Sequence, residues 1–140
     1  KESEQLLKDT IQMNGNAVAK EIEKIHREYT SVIQYNNENS LSSVLSIAYL
    51  SSMQYYFKPI REFPAGRGFV FIPKPEFQNY YPALVVELKW DKSVRAALDQ
   101  IRDRKYPESV ACYAGELLLV GINYNKKTKE HECRIEKIKR

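Results

Sequence analysis

Apolar residues in the first third of the chain recur at helical spacing: Leu6, Leu7 and Ile11, then Val18, Ile22, Ile25 and Tyr29. The run Asn14, Gly15, Asn16 interrupts them, which predicts two helices separated by a break. A third helix is better marked, because Asn36 or Asn37 can cap it and Leu41, Val44, Leu45, Ala48, Tyr49 and Ser52 form one stripe. From Tyr55 the pattern becomes β-like: a strand over Tyr55 to Phe63, a turn over Pro64 to Gly68, and a strand over Phe69 to Ile72 ended by Pro73 and Pro75. Tyr81 to Trp90 is apolar on both faces, the mark of a central strand. Asp91 to Ser93 supplies a turn and an N-cap for a helix carrying Val94, Ala97, Leu98 and Ile101, which stops near Pro107. Leu117 to Tyr124 is a second buried strand, and Asn125 to Glu130 a polar turn. The last strand, His131 to Ile138, alternates Cys133 and Ile135 against Arg134, Glu136 and Ile138, as an edge strand does. The order is helices, three strands, helix, two strands, with no repeat and no linker.

A chain of 140 residues, 43% hydrophobic and 29% charged, is one ordinary domain with enough apolar material for its own core. No apolar run reaches eighteen residues and the N-terminal residues lack a signal-peptide order, so the expectation is a soluble, cytoplasmic protein without a membrane partner. Cys112 and Cys133 have no metal-binding spacing and read as reduced thiols. The net charge of +4 permits a nucleic-acid partner without arguing for one. Basic residues gather at Arg102, Arg104 and Lys105, at Lys126, Lys127 and Lys129, and at Lys137, Lys139 and Arg140. Solvated faces are the simpler account of them.

The chemical centre is Glu87 with Lys89. Residues two apart in a strand project from the same face, about 7 Å apart, so these side chains point together. An exposed Glu–Lys pair would mean nothing, but Leu84, Val85, Val86, Leu88 and Trp90 imply cover on both faces, and a covered charge needs a partner or a metal. A carboxylate beside an ammonium suits phosphoryl transfer, the acid holding Mg²⁺ and the lysine positioning water or offsetting charge on the phosphate.

The blocks Asn37-Glu38-Asn39, Gly66-Arg67-Gly68, Pro82 to Lys89, Gln100-Ile101 with Lys105-Tyr106, and Val120 to Tyr124 stand in an order that resembles the PD-(D/E)xK nuclease superfamily. More closely, they resemble a nuclease-like domain that follows an AAA-ATPase-like domain in bacterial and archaeal proteins. The resemblance implies an α/β, restriction-endonuclease-like core over residues 36–140: helix, three-strand meander, helix, two strands, a mixed sheet flanked by helices. Residues 1–35 would be an N-terminal helical extension. It implies Glu87 and Lys89 as catalytic residues, Glu87 and Glu38 as ligands of Mg²⁺ or Mn²⁺, and Gln100, Arg67, Lys105 and Tyr106 as contacts to nucleic acid, DNA in preference to RNA. An AAA-ATPase-like domain and a homodimer are the protein partners it suggests. Bland alternatives accompany each role: Glu38 suits the first turn of any helix, Gln100 a solvated helix face, Tyr106 packing on the sheet, and Arg67 an exposed glycine-turn tip.

The family's second strand normally carries an Asp shortly after the Gly-x-Gly turn, whereas Gly68 to Pro73 contains no acid. Glu62 and Glu76 are the nearby substitutes. The domain has lost hydrolysis, or an acid has moved in from elsewhere, or residues are absent between Gly68 and Phe71; a partner strand as long as Tyr55 to Phe63 favours the last. The expectation is a metal-dependent nuclease impaired by the missing Asp. The alternative is a degenerate domain that binds nucleic acid or protein; a third reading is a purely structural or dimerising domain with Tyr55, Tyr56, Tyr80 and Tyr81 as interface anchors.

Overall fold

The computed structural model describes residues 2–28, 44–46, 48–59, 67–103 and 113–138. The N-terminal periodicity gives two helices, α1 (Glu2–Ile11) and α2 (Gly15–Glu28). The break between them is chemical: Met13 takes a positive φ of 62°, and the Ala17 amide donates to Asn14 Oδ1 at 3.2 Å, capping α2. Gly15 is required by packing, since a Cβ there would stand 2.3 Å from the carbonyl oxygen of Cys133. The start of α2 thus rests directly on strand backbone. Leu6, Leu7, Val18, Ile22 and Ile25 are buried, as the spacing predicts.

Residues 44–46 and 48 are helical, with Val44, Leu45, Ala48 and Tyr49 buried, and the chain tightens into a 3₁₀ turn over Leu50–Gln54. Ser52 completes the stripe, its Oγ donating to the Tyr49 carbonyl at 2.6 Å. The expected caps Asn36 and Asn37, and Tyr29, lie outside the described residues.

The strand expected from Tyr55 requires correction. Tyr55 closes the 3₁₀ turn and Tyr56 forms a single antiparallel bridge with Pro73, flanked by Phe57 N–H to Ile72 O (2.9 Å) and Lys74 N–H to Tyr55 O (2.8 Å). Residues 60–66 lie outside the description. The β-prone tyrosines serve an aromatic cluster instead: Tyr55 stacks on Tyr81 at 4.6 Å, and the Tyr56 hydroxyl donates to Pro82 O at 2.6 Å.

Four strands form one mixed sheet in the order β1 (Arg67–Phe71), β2 (Ala83–Trp90), β3 (Leu117–Asn125), β4 (Glu130–Ile138). β1–β2 and β3–β4 are antiparallel and β2–β3 is parallel. The crossover between the parallel strands contains α3 (Val94–Asp103). One face of the sheet, with Leu84, Val86, Leu88, Leu118, Val120 and Ile122, packs under the N-terminal helices. The other, with Val70, Ala83, Val85, Leu117 and Leu119, receives Leu98 and Ile101 of α3. Each of those two helix residues is fully buried, worth about 1.5–3 kcal/mol apiece. β2 and β3 are therefore covered on both sides, which is why they read as unbroken apolar runs, whereas β4 alternates. Among the described residues, no helix is long and apolar enough to cross a membrane.

Candidate active site

Strand alternation puts Val85, Glu87 and Lys89 on the α3 face of β2. Glu87 has no exposed surface, and its partners across the sheet are two glycines, Gly68 on β1 and Gly121 on β3. Gly121 admits α3 closely: a Cβ there would meet Leu98 Cγ at 3.1 Å, the Val94 carbonyl oxygen at 3.1 Å and Ala97 Cβ at 3.2 Å. The carboxylate thus stands in a dry slot beneath a helix, where ionisation is expensive unless a proton, a hydrogen bond or a cation compensates it. Lys89, half-buried and one step nearer the strand's carboxyl end, is in register with Asn123 of β3.

Asn123 ties that end together. Its Oδ1 accepts the Lys92 amide at 3.0 Å and its Nδ2 donates to the Lys92 carbonyl at 3.4 Å, while the side chain is only 1% exposed. Asp91 follows β2 with a left-handed φ of 55°, donates its amide to Tyr124 O at 2.8 Å and accepts the Lys126 amide on Oδ1 at 2.6 Å. Ser93 then caps α3, its Oγ accepting the Ala96 amide at 3.0 Å. The N-cap is legible in the sequence. Asn123 was missed, although a lone amide closing the apolar run from Leu117 to Ile122 is the signal that could have found it.

The opposite face carries a second polar group. His131 is buried, with Nδ1 3.5 Å from a Glu23 carboxylate oxygen that also accepts the His131 backbone amide at 2.7 Å. Proximity to that carboxylate would raise the imidazole pKa, yet burial outweighs it and holds the group down at about 4. His26, 5.9 Å away ring to ring, is lowered by burial and by Arg27. Burial pushes the Cys133 thiol up to about 12, so it is a poor nucleophile.

Of the residues singled out in the sequence, Glu87 and Lys89 come together on one face. Gln100 is half-buried on α3. Arg67 is not at a turn tip: it opens β1 with its backbone in register with Leu88, one step out of phase with Glu87 and Lys89. Glu76 is exposed in the 3₁₀ turn Pro75–Phe77 that precedes β2, at the far end of the strand from Lys89. Glu38, Glu62, Lys105 and Tyr106 lie outside the described residues. The β1–β2 ladder runs unbroken from Arg67 to Phe71. On the α3 face, β1 offers Gly68 and Val70 opposite Glu87 and Val85, and neither is an acid.

Among the described residues, no cluster of three His, Cys, Asp or Glu side chains could hold a metal ion. Glu87 alone does not fit a divalent cation, which takes several oxygen ligands. Two surface cavities lie away from Glu87: one of about 490 Å³ under Tyr49, Phe69, Phe71 and Val86 on the other face, and one of about 600 Å³ between α1 and Tyr55, Tyr80 and Tyr81.

Neither a curated protein nor a solved structure matches this chain. A family model described as PD-(D/E)XK nuclease superfamily matches residues 36–133. That span includes β1, β2 with its buried Glu-x-Lys pair, the covering α3, β3 and the first residues of β4, and the chain belongs to the PD-(D/E)XK nuclease superfamily.

Proposed function

We propose that this domain hydrolyses phosphodiester bonds in nucleic acid, DNA before RNA, at the face formed by Glu87 and Lys89, with Glu38 as the second carboxylate. One observation carries the proposal: Glu87 is an acid with no exposed surface at the centre of the sheet, two residues from Lys89 on the same face. Burying an ionised carboxylate costs several kcal/mol before compensation, and an apolar residue avoids that cost. Lys89 would offset charge developing on the phosphoryl oxygens or orient the attacking water. The family generally uses divalent metals. Because the described donors do not fit such an ion, a requirement for Mg²⁺ or Mn²⁺ is tied in this proposal to Glu38. An AAA-ATPase-like domain in the full-length protein and a homodimer belong to the same proposal.

The test is cleavage of plasmid and single-stranded DNA with Mg²⁺ or Mn²⁺ by the parent, Lys89→Ala and Glu38→Gln. We expect the parent to cut, Lys89→Ala to lose about 10²-fold or more, and Glu38→Gln to lose cleavage while retaining DNA. Undiminished cutting by Lys89→Ala would sink the assigned site. A second reading, a domain that holds nucleic acid without hydrolysing it, draws on Gly68 and Val70 of β1, which offer Glu87 no second acid. Salt-sensitive DNA retention with no cleavage under any metal would establish that reading instead.

A further inference from the structure

We infer that the carboxyl end of the β2–β3 pair forms a track for the nucleic-acid backbone, built from Lys92, Arg95 and the β3–β4 turn lysines Lys126, Lys127 and Lys129, leading away from Lys89. The inference rests on the reading of nucleic acid as the ligand and adds the surface that holds it. β2 and β3 are parallel and end together at Trp90 and Tyr124, and ligands of open α/β sheets collect beyond such carboxyl ends. Two basic loops distant in sequence are fastened there. The Lys126 amide bonds to Asp91 Oδ1, the Asp91 amide to Tyr124 O, and both backbone groups of Lys92 to the Asn123 side chain.

The turn is held in one shape. Asn125 Oδ1 accepts the amides of Lys127 (2.9 Å) and Thr128 (3.1 Å), and the Lys129 amide bonds to Asn125 O at 2.8 Å. Lys129 sits at φ 60°, a left-handed position that glycine or asparagine fills more readily than lysine. A lysine at such a position keeps a charge at the expense of stability. All five basic residues are exposed. The acids among them are Asp91, Glu130 and Glu132, and Asp91 is already engaged by the Lys126 amide. Cations remain in excess here, although the whole chain carries only +4. From Gly121, in register with Glu87, to Lys126 is five residues of strand, about 16 Å. At 3.4 Å per nucleotide that is about five nucleotides from the Glu87 position to the turn.

The experiment compares the parent with Lys126→Gln/Lys127→Gln/Lys129→Asn, the last change chosen because asparagine tolerates the left-handed backbone, and with Lys8→Gln/Lys20→Gln on the exposed sides of α1 and α2. Binding of a fluorescein-labelled 20-nucleotide strand and of a 20-base-pair duplex is followed by polarisation from 50 to 200 mM NaCl, with unfolding midpoints measured beside it. The turn variant should bind about tenfold or more weakly at 50 mM, with a log–log salt slope shallower by about two to three, at an unchanged or higher midpoint. The α1/α2 variant should bind as the parent does. Equal weakening in both variants means diffuse charge and overturns the track. Parent-like binding by the turn variant also overturns it, leaving the Glu87–Lys89 proposal standing. If the parent itself binds neither oligonucleotide at 50 mM, both proposals fall together.

Discussion

Gly121→Ala tests how closely α3 is seated over Glu87. The new Cβ would lie 3.1 Å from Leu98 Cγ, 3.1 Å from the Val94 carbonyl oxygen and 3.2 Å from Ala97 Cβ. Carbon atoms pack best at about 3.5–4.0 Å, so every contact is too short by a few tenths of an ångström. Leu98 could change its torsions, but the Val94 carbonyl and the Ala97 Cβ move only with the helix. Relief therefore requires α3 to shift as a body, and overpacking of this kind costs about 1–3 kcal/mol. Against it stands the gain from removing a strand glycine, about 0.5–1 kcal/mol of unfolded-chain entropy. The loss wins by about 1 kcal/mol, or about 3–5 °C in Tm for a chain of this size. Urea unfolding followed by circular dichroism should show a lower midpoint with an unchanged m-value. A midpoint equal to or above that of the parent would refute the account of Gly121 as a close-approach glycine.

The buried imidazole of His131 sets a pH dependence. Its folded pKa of about 4 lies below the ordinary 6.5, so its neutral form stabilises the fold above pH 6.5 and that contribution is lost as pH falls towards 4. Between pH 7.5 and 5 the loss is about 2 kcal/mol, and His131→Gln should flatten the denaturant midpoint over that window; a slope identical to the parent's would contradict it. Asn123→Ala deletes both contacts to Lys92 in a buried setting and should cost about 1–3 kcal/mol, with faster amide exchange at Lys92 as the local signature. Asn14→Ala removes the α2 cap and should cost about 1 kcal/mol by thermal unfolding, whereas Asn14→Gly should cost only a few tenths.

The elements most legible in the sequence are those whose burial is one-sided or total. Val18, Ile22 and Ile25 mark the inner face of α2, Ala97, Leu98 and Ile101 that of α3, and β2 and β3 announce themselves as apolar runs because both faces are covered. The Glu87–Lys89 juxtaposition follows from the two-residue period alone. Tyr55 misled because its β propensity reflects a preference for packed surfaces, and here that preference is met by stacking on Tyr81 outside any strand. The roles of Gly121 and Asn123 were not legible for a different reason, even though a lone amide closing an apolar run draws the eye to Asn123. Their roles depend on which strand lies beside Glu87 and Lys89, and a parallel partner more than thirty positions away leaves no mark in local periodicity.

The same parallel pairing governs when the Glu87 slot exists at all. β3 and β4 meet across the short turn between Asn125 and Glu130, so their union closes a small loop. Glu87 meets Gly121 only after the chain between them, α3 included, has been gathered in, and loop-closure entropy is spent before any contact there repays it. The carboxylate is therefore dehydrated by the least local contacts of the sheet. Loosening of the crossover would hydrate Glu87 again while leaving the β3–β4 hairpin intact.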